Sequence, residues 1–140
     1  MKSWPWIERA DDFWRTAEFV LYQEKHVGRE HFVPLWAPGV NLHLSLELYL
    51  KAFLLARGLG ENDLREQYGH HLVRLYEEAV ARDFSLAGYS EPLTRLDVFG
   101  NRKAGAIYPV RTAPVLDDGQ LFELLAPLVV QIKRLVGFLV

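Results

Sequence analysis

The chain has 140 residues and a mass of 16.2 kDa, the size of one domain. Half of the residues are hydrophobic and 13% are aromatic, enough for a packed core, which excludes a disordered tail. A formal net charge of −2 excludes binding to nucleic acid or membrane through bulk positive charge, and the lack of cysteine excludes disulfides, thiolate metal sites and a cysteine nucleophile. Pro5 falls where a signal peptide needs an apolar run, and Glu47 and Lys51 interrupt the most hydrophobic stretch. These features predict a cytoplasmic protein with no membrane span. No repeat or linker divides the chain, so residues 1–140 are expected to form a single domain.

The first predicted helix follows Asp11 and Asp12, either of which suits a helix N-terminus. Ala10, Phe13, Trp14, Ala17, Val20 and Leu21 recur at helical spacing and define its apolar stripe. Gly28, Pro34, Pro38 and Gly39 then mark a loop. From Asn41, leucines alternate with polar residues in the period of a half-buried strand. Yet no Val, Ile or Thr occurs from Asn41 to Leu72, and the run to Arg57 is much longer than a strand, with Gly58 placed as a helix C-cap. The segment is therefore predicted as a central helix with leucines on most of its circumference. Gly58-Leu59-Gly60 forms a cap and turn rather than a dinucleotide loop, because it follows a helix.

His71 to about Asp83 is predicted as an amphipathic helix, with Leu72, Leu75, Tyr76, Ala79 and Val80 inward. Ser90 can cap a short helix with Pro92 in its first turn and Leu93, Leu96 and Phe99 buried, followed by a loop beyond Gly100. Asp117 or Asp118 opens a C-terminal helix whose stripe comprises Leu121, Leu124, Leu125, Leu128, Val129, Ile132, Leu135, Val136 and Leu139, with a kink expected at Pro127. The expected fold class is all-α, four long helices and one short one in an up-and-down bundle. Phe138 and its neighbours are expected to pack at home or against a second protomer, and Trp4 and Trp6 against the bundle or an interface.

Glu47-Leu48-Tyr49-Leu50-Lys51-Ala52-Phe53-Leu54-Leu55, ending at Arg57-Gly58 and followed by Gly69-His70-His71-Leu72-Val73-Arg74-Leu75, resembles the HEPN domain family. That family has an acidic residue, a lysine and leucines in its second helix and a histidine at the start of the third. The chain is also similar to the subset with a short fourth helix leading to an Arg-Tyr-Pro turn. The matching place here is Ile107-Tyr108-Pro109. The resemblance spans roughly residues 10 to 138. It implies a bundle that forms a homodimer, and a role in RNA cleavage, in nucleotide or RNA binding, or as partner of a nucleotidyltransferase in a toxin–antitoxin or defence module.

The family's nuclease branch places an arginine four to six residues before a histidine in the C-terminal half. No histidine follows His71 here, and the Arg65 to His70 match lies ahead of the third helix. The catalytic assignment therefore stays open, with Arg102 and His70 as candidates for a metal-independent endoribonuclease. Ligand-binding candidates are Glu47, Lys51, His70, Arg102, Lys103, Tyr108 and Arg111. Glu47 and Lys51 are spaced to pair on one helix face. Arg95, Arg102, Lys103 and Arg111 form the one locally basic stretch, suited to phosphate, and Tyr108 can stack on a base. His26 and His31 lie five apart across Gly28, which does not present two ligands on one helix face, so no metal is expected. No cofactor is expected either. The alternatives to phosphate binding are the endoribonuclease and a purely protein-binding partner subunit.

Overall fold

The computed structural model describes residues 2–27, 37–100 and 118–139, and these residues are helical, with six helices and no strand. Helix α1 spans Trp4–Val27, α2 Ala37–Ala56, α3 Glu61–Asp63, α4 Leu72–Arg82, α5 Ser90–Leu96 and α6 Asp118–Leu135. A π-helical turn, Leu64–Tyr68, extends α3, and 3₁₀ turns occupy Phe84–Leu86 and Asp97–Gly100. No helix among the described residues is long and apolar enough to cross a membrane.

Helix α2 is the centre. It contacts α1, α4, α5, α6 and the Asp97–Gly100 turn. Leu42, Leu46, Tyr49, Leu50, Ala52, Phe53 and Leu54 are fully buried on it. Burial on all sides is what an apolar helix without a polar face requires, and each large side chain removed from water contributes about 1.5–3 kcal/mol. At its end the Leu59 amide reaches the Leu54 carbonyl at 3.1 Å and the Gly58 amide that of Leu55 at 3.0 Å, with Gly58 at φ +101°. That left-handed C-cap, which favours glycine, is the one the sequence predicts.

Three boundaries differ from expectation. Helix α1 begins seven residues before Asp11 (11 − 4 = 7): the Ile7 amide bonds the Ser3 carbonyl at 3.1 Å, and Pro5 occupies the first turn, where a missing N–H costs nothing. Asp11 and Asp12 are thus interior helical residues and not caps. Pro38 and Gly39 belong to the first turn of α2 rather than to a loop. Gly39 is required there, because a Cβ would overlap the Phe99 ring. Ser90 is the first residue of α5, preceded by Tyr89 in the cap position with no side-chain cap bond. Its hydroxyl is not the cap the sequence suggests, although Pro92, Leu93, Leu96 and Phe99 are buried as expected.

On α4, Leu72, Leu75, Tyr76 and Ala79 face the core. On α6, Leu121, Leu125, Leu128, Val129 and Ile132 do so, as does Val136 just past its end, whereas Leu124 and Leu139 of the expected stripe are exposed. Pro127 lies inside α6, where it removes the N–H that would reach the Glu123 carbonyl. The two ends of the described chain meet. Trp4 donates its indole N–H to the Val136 carbonyl at 3.2 Å and packs edge-on against Phe138 at 5.8 Å, while Trp6 is partly buried against the core.

Candidate functional site

Among the predicted site residues, Glu47, Lys51 and His70 come together. Glu47 is 3% exposed and Lys51 8%, and Lys51 Nζ lies 3.1 Å from Glu47 Oε2 across one turn of α2. His70 Nδ1 lies 3.1 and 3.0 Å from the two Glu47 oxygens. Its side chain is 62% exposed against 4% for that of Glu47. A buried carboxylate therefore grips one nitrogen of a solvent-facing imidazole. The carboxylate accepts from Nδ1–H, which leaves Nε2 on the outer side of the ring.

The chain places His70 through local geometry. After α3 the backbone widens into the π turn, in which the Gly69 amide bonds the Leu64 carbonyl at 3.1 Å. The His71 amide then bonds the Tyr68 carbonyl at 2.8 Å, and α4 starts at Leu72. Widened turns of this kind are frequent where a helix re-aims a functional side chain.

Two residues join the cluster that sequence reasoning missed. His43, fully buried, has Nδ1 3.7 Å from Glu47 Oε1 and Nε2 3.6 Å from Asp97 Oδ1. His43, Glu47 and Lys51 stand at steps of four along α2, so the spacing was a usable signal for the first of the two. Asp97 comes from the 3₁₀ turn after α5, and only tertiary packing brings it in. Arg102, Lys103, Tyr108 and Arg111 lie outside the described residues, as does His31.

A second polar group sits in the core. The Tyr49 hydroxyl donates to Asp11 Oδ1, and Lys133 Nζ lies 2.7 Å from the same oxygen. Lys133 is also 5.8 Å from the Tyr49 and Phe138 ring centres. Burial, then the Asp11 carboxylate, pushes the Tyr49 hydroxyl far above the usual tyrosine range. The trio joins α1, α2 and α6, and Trp14 packs edge-on to Tyr49 and stacks on Phe122 at 4.3 Å.

Among the described residues, no cluster of three or more His, Cys, Asp or Glu has the arrangement of a metal centre. A cavity of about 260 Å³ is bounded by Pro5, Trp6, Arg9, Leu48 and Glu61, with Leu48 its contribution from α2. No family model, curated protein or solved structure matches the chain.

Proposed function

We propose that the chain is a HEPN-like, up-and-down bundle of four long helices and one short one, and that it binds nucleotide or RNA phosphates at the outer edge of the Glu47–Lys51–His70 cluster. The observation that carries this reading is the grip of buried Glu47 on exposed His70. Protonated His70 donates Nδ1–H inward and Nε2–H outward, and a phosphate oxygen is the matching acceptor. Lys51 neutralises Glu47, so the carboxylate beneath does not repel an incoming anion. Arg102, Lys103 and Arg111 supply further cations along the chain, with Tyr108 as a stacking partner. In this reading the protein is a cytoplasmic homodimer, a subunit of a toxin–antitoxin or defence-type module with a nucleotidyltransferase partner.

The same dyad favours one second reading, a metal-independent endoribonuclease. Neutral His70 keeps Nε2 as an outward base for a 2′-hydroxyl, with Arg102 stabilising the charge on phosphorus. One gel series separates the two: end-labelled RNA in chelator, native and denaturing, with the full chain, His70→Ala and Arg102→Ala. A mobility shift weakened in both variants, without cleavage, is the expected result. Cleavage to cyclic phosphate ends that disappears in His70→Ala establishes the nuclease instead. Neither shift nor cleavage removes RNA and leaves a purely protein-binding subunit, checked by co-purification with a nucleotidyltransferase.

A further inference from the structure

We propose that the cavity bounded by Pro5, Trp6, Arg9, Leu48 and Glu61 is a nucleobase site that takes guanine, the base of the nucleotide whose phosphate reaches the Lys51–His70 edge. This rests on the phosphate-binding reading above and names the ligand class it serves. The cavity measures about 260 Å³, just below the range of drug-sized pockets and suited to one fused ring system. Its walls are of two kinds. Trp6 is partly buried against the core and so held in place, and with Pro5 and Leu48 it offers a flat apolar surface. Stacking on such an aromatic is the general way proteins hold an unpaired base.

Arg9 and Glu61 are the polar lining, one of each sign, and both are exposed. Their side chains enter no hydrogen bond or ion pair with another described residue. A ring that satisfies both must carry adjacent N–H donors for the carboxylate and acceptors for the guanidinium. Guanine has N1–H and the N2 amino group on one edge and O6 and N7 on the other. Adenine presents an acceptor, N1, where guanine has its N1–H, and a carboxylate facing it is repelled.

The sequence of α2 relates the cavity to the ion cluster. Leu48 adjoins Glu47 and precedes Lys51 by three residues, and side chains three apart on a helix are surface neighbours. The cavity wall at Leu48 is therefore a helix-surface neighbour of Lys51, the lysine of the ion cluster. Glu61 opens α3, whose π-turn extension leads to His70. One short stretch of chain therefore carries both the base-reading carboxylate and the phosphate-facing imidazole.

The test is calorimetric titration of the full chain with guanosine, GMP, AMP and inorganic phosphate, repeated for Glu61→Gln, Trp6→Leu and His70→Ala. Guanosine is expected to bind, GMP more tightly, and AMP more weakly than GMP. Glu61→Gln, an exposed and conservative change, should cut the preference for GMP over AMP by roughly 5- to 150-fold. Trp6→Leu should weaken guanosine by a similar factor. His70→Ala should bring GMP down to the affinity of guanosine and leave guanosine unchanged. Phosphate and GMP binding without guanosine binding, or an unchanged base preference in Glu61→Gln, overturns the base site and leaves the phosphate reading standing. Guanosine binding to which phosphate adds nothing sustains the base site and overturns the phosphate reading. No binding by any of the four probes overturns both.

Discussion

Replacing Glu47 by glutamine keeps the shape of the side chain and removes its charge. In the native chain Lys51 Nζ lies 3.1 Å from Oε2, with the lysine side chain 10% and the glutamate side chain 4% exposed. At an effective dielectric constant of about 20, unit charges at that distance attract by about 5 kcal/mol. Desolvating the two ions offsets much of that attraction. Removing Glu47 leaves Lys51 buried and uncompensated, which costs ~3–5 kcal/mol, a large fraction of a stability of roughly 5–15 kcal/mol for a domain, whereas removing Lys51 leaves Glu47 its contacts with His70 and costs less. Glu47→Gln should lower the urea midpoint by a corresponding amount and Lys51→Met by less, because His70 stays on Glu47, with unfolding followed by far-ultraviolet circular dichroism. The double variant Glu47→Met, Lys51→Met should recover to within about 1 kcal/mol of the native chain, because well-packed apolar pairs replace buried ion pairs at little net cost. A coupling energy below about 0.5 kcal/mol, the size found for exposed pairs, would refute the buried arrangement on which the site depends.

Three further outcomes are expected. Gly39→Ala should destabilise by roughly 1–3 kcal/mol through overlap with Phe99, and adding Phe99→Leu should return part of that loss in a denaturation series. The Tyr49 hydroxyl is held neutral by burial and Asp11, so its folded value lies above the unfolded value near 10. Its contribution to stability is present below pH 10 and lost as pH rises beyond it, and Tyr49→Phe should flatten that alkaline fall when unfolding is followed against pH. Asp83 behaves in the opposite sense. Hydrogen bonds from the Ser85 hydroxyl and backbone amide, then Arg57 at 3.2 Å, hold its carboxyl below the usual 3.8. Stability from this group is present above pH 3.8 and lost as pH falls through the lower folded value. A carbon-detected titration should find its midpoint below 3.8, and Arg57→Ala should move that midpoint upward.

Much of the site was legible in one helix. Glu47 and Lys51 share a face by their spacing, and His70 stood out through the resemblance, yet no contrast between a polar and an apolar face in α2 singles out the side that holds the ions. The reason is physical: a helix buried on every side has no polar face to contrast with an apolar one. His43 was marked only by its step of four to Glu47, and Asp97 was hidden because its partner lies 54 residues away in sequence (97 − 43 = 54). The same limit explains Asp11. An aspartate before an apolar stripe suits a helix cap, and only the packing of α1 against α2 and α6 shows it buried with Tyr49 and Lys133.

By itself the sequence determined the all-helical class, the central position of α2, its end at Gly58, the apolar faces of α4 and α5 and the absence of thiol chemistry. These follow from local causes: leucine without β-branched neighbours favours helix, a left-handed cap favours glycine, and helical spacing selects one buried face. Tertiary structure decided where helices begin, since Pro5 and Pro38 are tolerated in first turns that packing against α6 and Phe99 makes worth forming. It also decided which leucines of α6 face water and which charges meet. Those outcomes depend on what lies across a helix from each residue, and that neighbour is set by the fold as a whole, not by the segment in which the residue stands.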